Sequence, residues 1–259
     1  MTPRQTLPVP EQLQRGAHRS REEWLESGRF AVDLLCRTLG REDLSGIDVM
    51  DVGCGTKIVK TLLDHGMPIG HYAGIDAASE VIDWLKANVS DRRFEFHHLD
   101  AHNAMYNPTG RDLASFELLP VGARRFDLIC LFSVFTHLAP HDFEAMLRLL
   151  RRHIQPEGPL LFSLFLADPE RHARAIRDRL SSDDPEVRRQ TATAVESAVR
   201  KHGVPQYPRF LDVMPQHPLM VARYRKDYAV ELVDASGWDV TALHPPERFI
   251  QHYMVCRPV

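Results

Sequence analysis

The chemistry with the sharpest address in this 259-residue chain lies at Val49-Met50-Asp51-Val52-Gly53-Cys54-Gly55-Thr56, where a hydrophobic run ends in an acid and two glycines spaced by one. Glycine has no Cβ to hold a ligand off the backbone. The helical pattern that follows would aim its first amides at whatever sits on the turn. Taken alone, Gly-x-Gly also describes a plain structural turn. Two more acids sharpen the reading, because Asp76, 25 residues after Asp51, and Asp100 each close an apolar, strand-like run. A carboxylate at Asp76 can accept both hydroxyls of a ribose, and one at Asp100 can accept from an adenine amino group. Either is also an ordinary turn or N-cap residue, but three acids closing three successive strands are hard to credit to turns. A nicotinamide dinucleotide would want a third glycine where Ile58 stands, and a P-loop would want a closing Gly-Lys-Ser/Thr that Gly53 to Thr56 lacks.

The elements that must position these residues alternate. Ser20 with Glu23 forms a capping box for an amphipathic helix through Trp24, Phe30, Leu34, Leu35 and Leu39, and Gly40 stops it. Strand-like Ile47 to Val52, Tyr72 to Ile75 and Phe94 to Leu99 bracket helical Val59 to Asp64 and Ser79 to Asn88, a βαβαβ order. A polar stretch, Asp100 to Arg125, precedes Phe126 to Phe135, which predicts a fully buried parallel strand. Pro140 opens a helix over His141 to His153, and Leu160 to Leu166 is a further strand. A helix over Asp227 to Ser236 and two strands, Trp238 to Leu243 and Phe249 to Arg257, close the chain as an antiparallel hairpin. Residues 1–19 read as a flexible N-terminus and 20–259 as one domain. Within it, 167–222 reads as an inserted, largely helical segment, either a lid over an acceptor pocket or a solvated appendage.

Composition narrows the classes. The 32 basic and 35 acidic side chains are mixed along the chain and sum to −3, so no nucleic-acid surface announces itself. The longest apolar stretches, Leu128 to Phe135 and Pro159 to Ala167, are too short to span a bilayer. No secretory h-region opens the chain. Cys36, Cys54, Cys130 and Cys256 stand far apart without a C-x-x-C pair, which fits reduced thiols in a cytoplasmic protein.

Asp51-Val52-Gly53-Cys54-Gly55, Gly74-Ile75-Asp76, His98-Leu99-Asp100-Ala101, Phe126-Asp127-Leu128-Ile129 and Leu150 to Leu161 resemble, in order, the motifs of class I S-adenosylmethionine-dependent methyltransferases. The resemblance covers roughly residues 20 to 166 and the closing hairpin. Ile82-Asp83-Trp84, Tyr106-Asn107-Pro108 and Ser133-Val134-Phe135-Thr136-His137-Leu138 are similar to a bacterial small-molecule subgroup. The resemblance implies an α/β fold with a Rossmann-like, seven-stranded, mostly parallel sheet, helices on both faces and an antiparallel C-terminal hairpin. It implies S-adenosyl-L-methionine as cofactor, with Asp51, Gly53, Cys54 and Gly55 at its methionine end. Asp76 and Ala77 would hold the ribose, Asp100 and Ala101 would flank the adenine, and Phe132 and Ser133 would face the methionine or the transferred methyl. Lys57 departs from the family, which most often has a third small residue there.

Methyl transfer from a sulfonium is an in-line displacement, so alignment and dryness are the protein's main task. For a hydroxyl acceptor a nearby base would help; His137 is the first candidate, with His141, His252 and Tyr106 behind it. A structural histidine is the competing reading. A small-molecule oxygen or nitrogen acceptor is the leading expectation. A protein or RNA methyltransferase, or a catalytically degenerate cofactor-binding fold, is the alternative, and a homodimer is left open. No metal is expected, since His97 and His98, adjacent on a strand, point to opposite faces.

Overall fold

The computed structural model describes residues 5–16, 20–167, 178, 180–202, 208–214, 216–247 and 250–259. The first helix, α1 (Arg21–Leu39), starts where expected: the Ser20 hydroxyl accepts the Glu23 amide, and Gly40 ends it at φ +64°. There follow β1 (Leu44–Val52), α2 (Lys57–Asp64), β2 (Ile69–Asp76), α3 (Ser79–Asn88), β3 (Phe94–His98), β4 (Leu128–Leu131), α4 (Pro140–Leu150) and β5 (Leu160–Ala167). The remainder is α5 (Pro185–His202), β6 (Phe210–Asp212), β7 (Ala222–Arg225), α6 (Lys226–Ala235), β8 (Trp238–His244) and β9 (His252–Pro258).

Seven strands run in the order β3-β2-β1-β4-β5-β9-β8; the pairs from β3 to β5 are parallel, and β9 is antiparallel to both its neighbours. The doubly wound α/β sheet with its antiparallel C-terminal hairpin is therefore present. The sheet nevertheless has nine strands, not seven. β7 lies parallel to the far end of β5 (Phe165 beside Arg223), with β6 antiparallel to β7. The segment expected to be a largely helical insertion thus holds α5 and also extends the sheet, because β5 outruns β9 and leaves backbone at its end to be paired. Residues 168–177 and 203–207 of that segment, and Phe249 of the expected last strand, lie outside the described residues.

Strand alternation distributes the core. Met50, Val52, Ile75, Ile129 and Leu131 face a cluster shared with α4 and α6, whereas Val49, Tyr72, Leu128 and Cys130 face one shared with α1, α2 and α3. The strand expected over Phe126 to Phe135 ends at Leu131. Two residues on, Ser133 turns the chain at φ +60°, and Phe135 lies in a short 3-10 helix, Phe135–His137. Helix α4 likewise stops at Leu150, short of His153, whose buried ring instead accepts the Leu119 amide.

Residues 5–16 lie packed against the domain. Leu7, Val9 and Leu13 are buried, because a short apolar alternation gives the segment a face to bury against α2. The buried Lys60 ammonium donates to the Leu7 carbonyl (2.8 Å) and pairs with Asp64 (2.5 Å), while Asp64 accepts the Leu7 amide (2.8 Å). Lys60→Met leaves the Leu7 carbonyl without its donor and the Asp64 carboxylate without its cation, at about 1–3 kcal/mol. The expected result is a lower melting temperature and faster tryptic cleavage after Arg15 under native conditions; an unchanged digestion rate would show that the latch does not hold the segment.

Candidate active site

Strand order reverses between β1 and β4, and in open α/β sheets ligands bind in the crevice at the carboxyl ends of the strands flanking such a switch point. The Gly-x-Gly turn stands there. The Gly53 and Cys54 amides both donate to the Ile75 carbonyl (2.7 and 3.0 Å), which folds the turn back over β2. Gly53, at φ +72°, packs so closely on Val134 that a Cβ would overlap its methyl group. Gly55, at φ +48°, has nothing within 4 Å of where a Cβ would stand. One glycine is needed for packing, and the other keeps an open space on the ligand side.

Asp76, at the end of β2, reaches this turn: one carboxylate oxygen accepts the Gly55 amide and the other the Ala78 amide, both at 2.9 Å. Burial raises its pKa, countered by those two amides and by the Arg15 cation. Ala77 follows, its carbonyl 3.1 Å from His98 Nε2. Asp100 lies two residues beyond the end of β3 and is exposed; it accepts from Asn107 Nδ2 (3.0 Å), and Ala101 beside it is buried. Past β4, half-buried Phe132 meets Tyr253 edge-on at 6.4 Å. The Ser133 amide donates to Ser163 Oγ (2.7 Å), and its hydroxyl exchanges hydrogen bonds with the Gln251 amide group. The structure therefore brings the expected cofactor residues to one edge, on the ends of β3, β2, β1 and β4.

The family described as "methyltransferase domain" matches residues 18–208. The chain belongs to this family, the class I S-adenosylmethionine-dependent methyltransferases. Solved structures agree in fold: magnesium protoporphyrin IX methyltransferase from Synechocystis PCC 6803 with bound S-adenosylhomocysteine is 11% identical, with a TM-score of 0.53 over 96% of this chain and 92% of that one. A glycopeptide N-methyltransferase complexed with S-adenosylhomocysteine is 15% identical (TM-score 0.53; 91% and 90%). The mitomycin 7-O-methyltransferase is 15% identical (TM-score 0.53; 96% and 60%). At these identities the likeness is one of fold.

In this methyltransferase Asp51 is almost fully buried, accepting from the Tyr72 hydroxyl (2.6 Å) with the Cys130 thiol as a further partner. Burial pushes its pKa up to about 7, against those hydrogen bonds, with Asp76 adding to the rise and Lys57 opposing it. Between about pH 4 and pH 7 the folded chain keeps this proton while the unfolded chain has lost it, so its contribution to stability falls as pH rises through that window and is flat above it. Asp51→Asn removes the slope. Relative to wild type it gains melting temperature at pH 8 and little at pH 4.5, the gain bounded by about 4 kcal/mol; equal shifts at both pH values would contradict the assignment.

Past β4 the methyltransferase brings together residues that lie far apart in the sequence. His137 ends the 3-10 helix after β4, and its ring meets Tyr106 edge-on at 6.3 Å. Arg15 lies 4.4 Å over the other partner, the Tyr106 ring, and pairs with Glu80 of α3. Arg15 was missed as a site residue because its segment reads as a flexible terminus; the alternation of Leu7, Val9 and Leu13 was the available signal. His137 Nδ1 lies 3.1 Å from the Leu219 carbonyl, so it is the protonated nitrogen, and burial lowers the ring's pKa. His141 is exposed against Asp142 (3.3 Å) and, with Asp112, forms a surface group without any buried member. His252 opens β9 opposite Leu164. His97 pairs with Glu95 (3.3 Å), whereas His98 turns to Ala77, consistent with opposite faces.

Proposed function

We propose that this methyltransferase transfers the methyl group of S-adenosylmethionine to an oxygen or nitrogen of a small molecule, and does so in the cytoplasm. The observation that carries the reading is the Asp76 carboxylate drawn against the Gly55 amide, beside a glycine whose missing Cβ leaves open space. A nucleoside with a vicinal diol suits that arrangement. When bound, the cofactor supplies an electrophilic methyl on its sulfonium. Asp76 and Ala77 hold the ribose, Asp100 and Ala101 the adenine, and Gly53, Cys54 and Gly55 the methionine end, with Asp51 bracing them. Phe132 and Ser133 border the methyl, and Phe132 with Tyr253 excludes water there. Small-molecule acceptors are supported by the structural neighbours that methylate mitomycin and protoporphyrin. Four unpaired, buried cysteines suit a reducing compartment, and no helix is long and apolar enough to cross a membrane among the described residues.

Calorimetric titration with S-adenosylmethionine, S-adenosylhomocysteine and NAD tests the cofactor assignment, for which saturable binding of the first two alone is expected. Release of S-adenosylhomocysteine is then followed with small phenols, alcohols and amines, with bulk RNA and with denatured protein. Turnover confined to RNA or protein would replace the small-molecule reading.

His137 is the proposed base for a hydroxyl acceptor: its ring is neutral at pH 7, and Nδ1–H donating to Leu219 leaves Nε2 as the basic nitrogen. His137→Gln is expected to lower kcat by about 10²-fold or more with KM little changed. A raised KM at unchanged kcat would make the ring an anchor for Leu219 instead.

A further inference from the structure

Ser133 (φ +60°) and Leu219 (φ +58°) are the non-glycine residues at positive φ among those described. Side chains are strained in that region, and such strain persists only where the surroundings enforce it. Both residues border His137. Ser133 begins the turn that leads to it, and the Leu219 carbonyl lies 3.1 Å from its Nδ1. Each is held by other side chains: Ser133 by the buried Ser163 hydroxyl and by Gln251, Leu219 by the Asp212 carboxylate, which accepts its amide (2.9 Å).

The turn after β4 is thereby tied to three connections. Tyr106 reaches it from the β3–β4 connection, Leu219 from the β6–β7 connection and Gln251 from the β8–β9 connection. Each connection carries an exposed apolar side chain close to that contact. Met105 (41% exposed) precedes Tyr106, Ile250 (78%) precedes Gln251, and Val213 (37%) donates its amide to the Val221 carbonyl, two residues past Leu219. One exposed apolar residue needs no explanation, but three on connections that converge on one turn do. Beside them Tyr106, Phe132 and Leu219 are half-buried, and Arg15, the cation over the Tyr106 ring, is paired with Glu80. Apolar surface around a small number of placed polar groups suits an apolar molecule fixed by one polar end.

We propose that the acceptor is an uncharged molecule with an extended apolar body, taken up between these three connections, with Met105, Val213 and Ile250 as specificity-determining residues for that body. Its reacting hydroxyl has His137 and the Ser133–Gln251 pair to meet. The assignment rests on the small-molecule reading of the site.

The experiment is calorimetric titration of the protein saturated with S-adenosylhomocysteine, using para-alkylphenols from methyl to hexyl and para-hydroxyphenylpropionate. Wild type, the double variant Met105→Glu/Ile250→Asp and the conservative Met105→Leu/Ile250→Leu are compared, each checked by thermal melting. Wild type is expected to bind about two- to four-fold tighter per added methylene, and the carboxylate at least ten-fold more weakly than the alkylphenol of similar length. The acidic double variant loses the gain per methylene, and the leucine variant keeps it. Phenols that bind wild type without that gain, a gain that survives in the acidic variant, or a preference for the carboxylate overturns the assignment. Turnover confined to RNA or protein would instead overturn the small-molecule reading, and failure to bind S-adenosylhomocysteine the cofactor site, each a separate result from a change in slope.

Discussion

Asp76→Ala lowers affinity for S-adenosylmethionine by about 100-fold or more, the largest binding loss expected for any single residue of the site. Hydrogen bonds to a charged group contribute about 1.5–3 kcal/mol each, and a ribose diol offers two. The substitution also strips the Gly55 and Ala78 amides of their acceptor, so the turn loosens as the diol contact disappears. The two effects separate by comparing adenosine with 2′-deoxyadenosine as competitors. Wild type discriminates between them, and Asp76→Ala does not. Unchanged affinity in a variant that still melts cooperatively would remove Asp76 from the ribose.

Gly53→Ala carries the largest expected stability loss from a single methyl group. Its φ of +72° lies in the left-handed region, where a side chain costs roughly 1–2 kcal/mol. The added Cβ also overlaps Val134 Cγ2, and overpacking typically costs about 1–3 kcal/mol more. At roughly 2–4 °C per kcal/mol for a chain of this size, the melting temperature should fall by on the order of 5–15 °C. Cofactor affinity should fall with it, since Val134 lies on the β4 side of the crevice. Pairing the substitution with Val134→Ala restores the overlap part and leaves the backbone part. A single variant that melts like wild type would mean that the turn relaxes freely, and its rigidity would then have no role in binding.

The site was legible to the extent that it is written in local pattern. Asp51, Asp76 and the glycines follow strand-like runs, and Ser20, Glu23 and Gly40 mark a helix through caps that act within one turn of chain. Asp100 was placed one residue too close to its strand, because strand ends depend on where the neighbour stops pairing. The Phe126 to Phe135 run read as one strand because buried apolar residues look alike whether they fill a strand or the turn beyond it. Only Ser133, at positive φ, marks the change, and a serine does not advertise that conformation. Arg15 was invisible because its partners, Tyr106, Glu80 and Asp76, are 61 to 91 residues away in the chain.

By itself the sequence determined the α/β class, the chain order of the first five strands and the position of the Gly-x-Gly turn, while its ordered motifs carried the resemblance to the family. The first three rest on periodicities of two and 3.6 residues, on glycine's freedom at positive φ and on acids at strand ends, all of which act over a few neighbouring residues. Tertiary structure alone decided that Asp51 is buried against Tyr72 and Cys130, that residues 5–16 pack back onto α2, and that β6 and β7 extend the sheet. The reason is the same in each case: which face of a strand is buried, and which donor finds an acceptor, is set by groups far away in the chain, and a desolvated charge acquires its meaning only once those groups have been brought within a few ångströms.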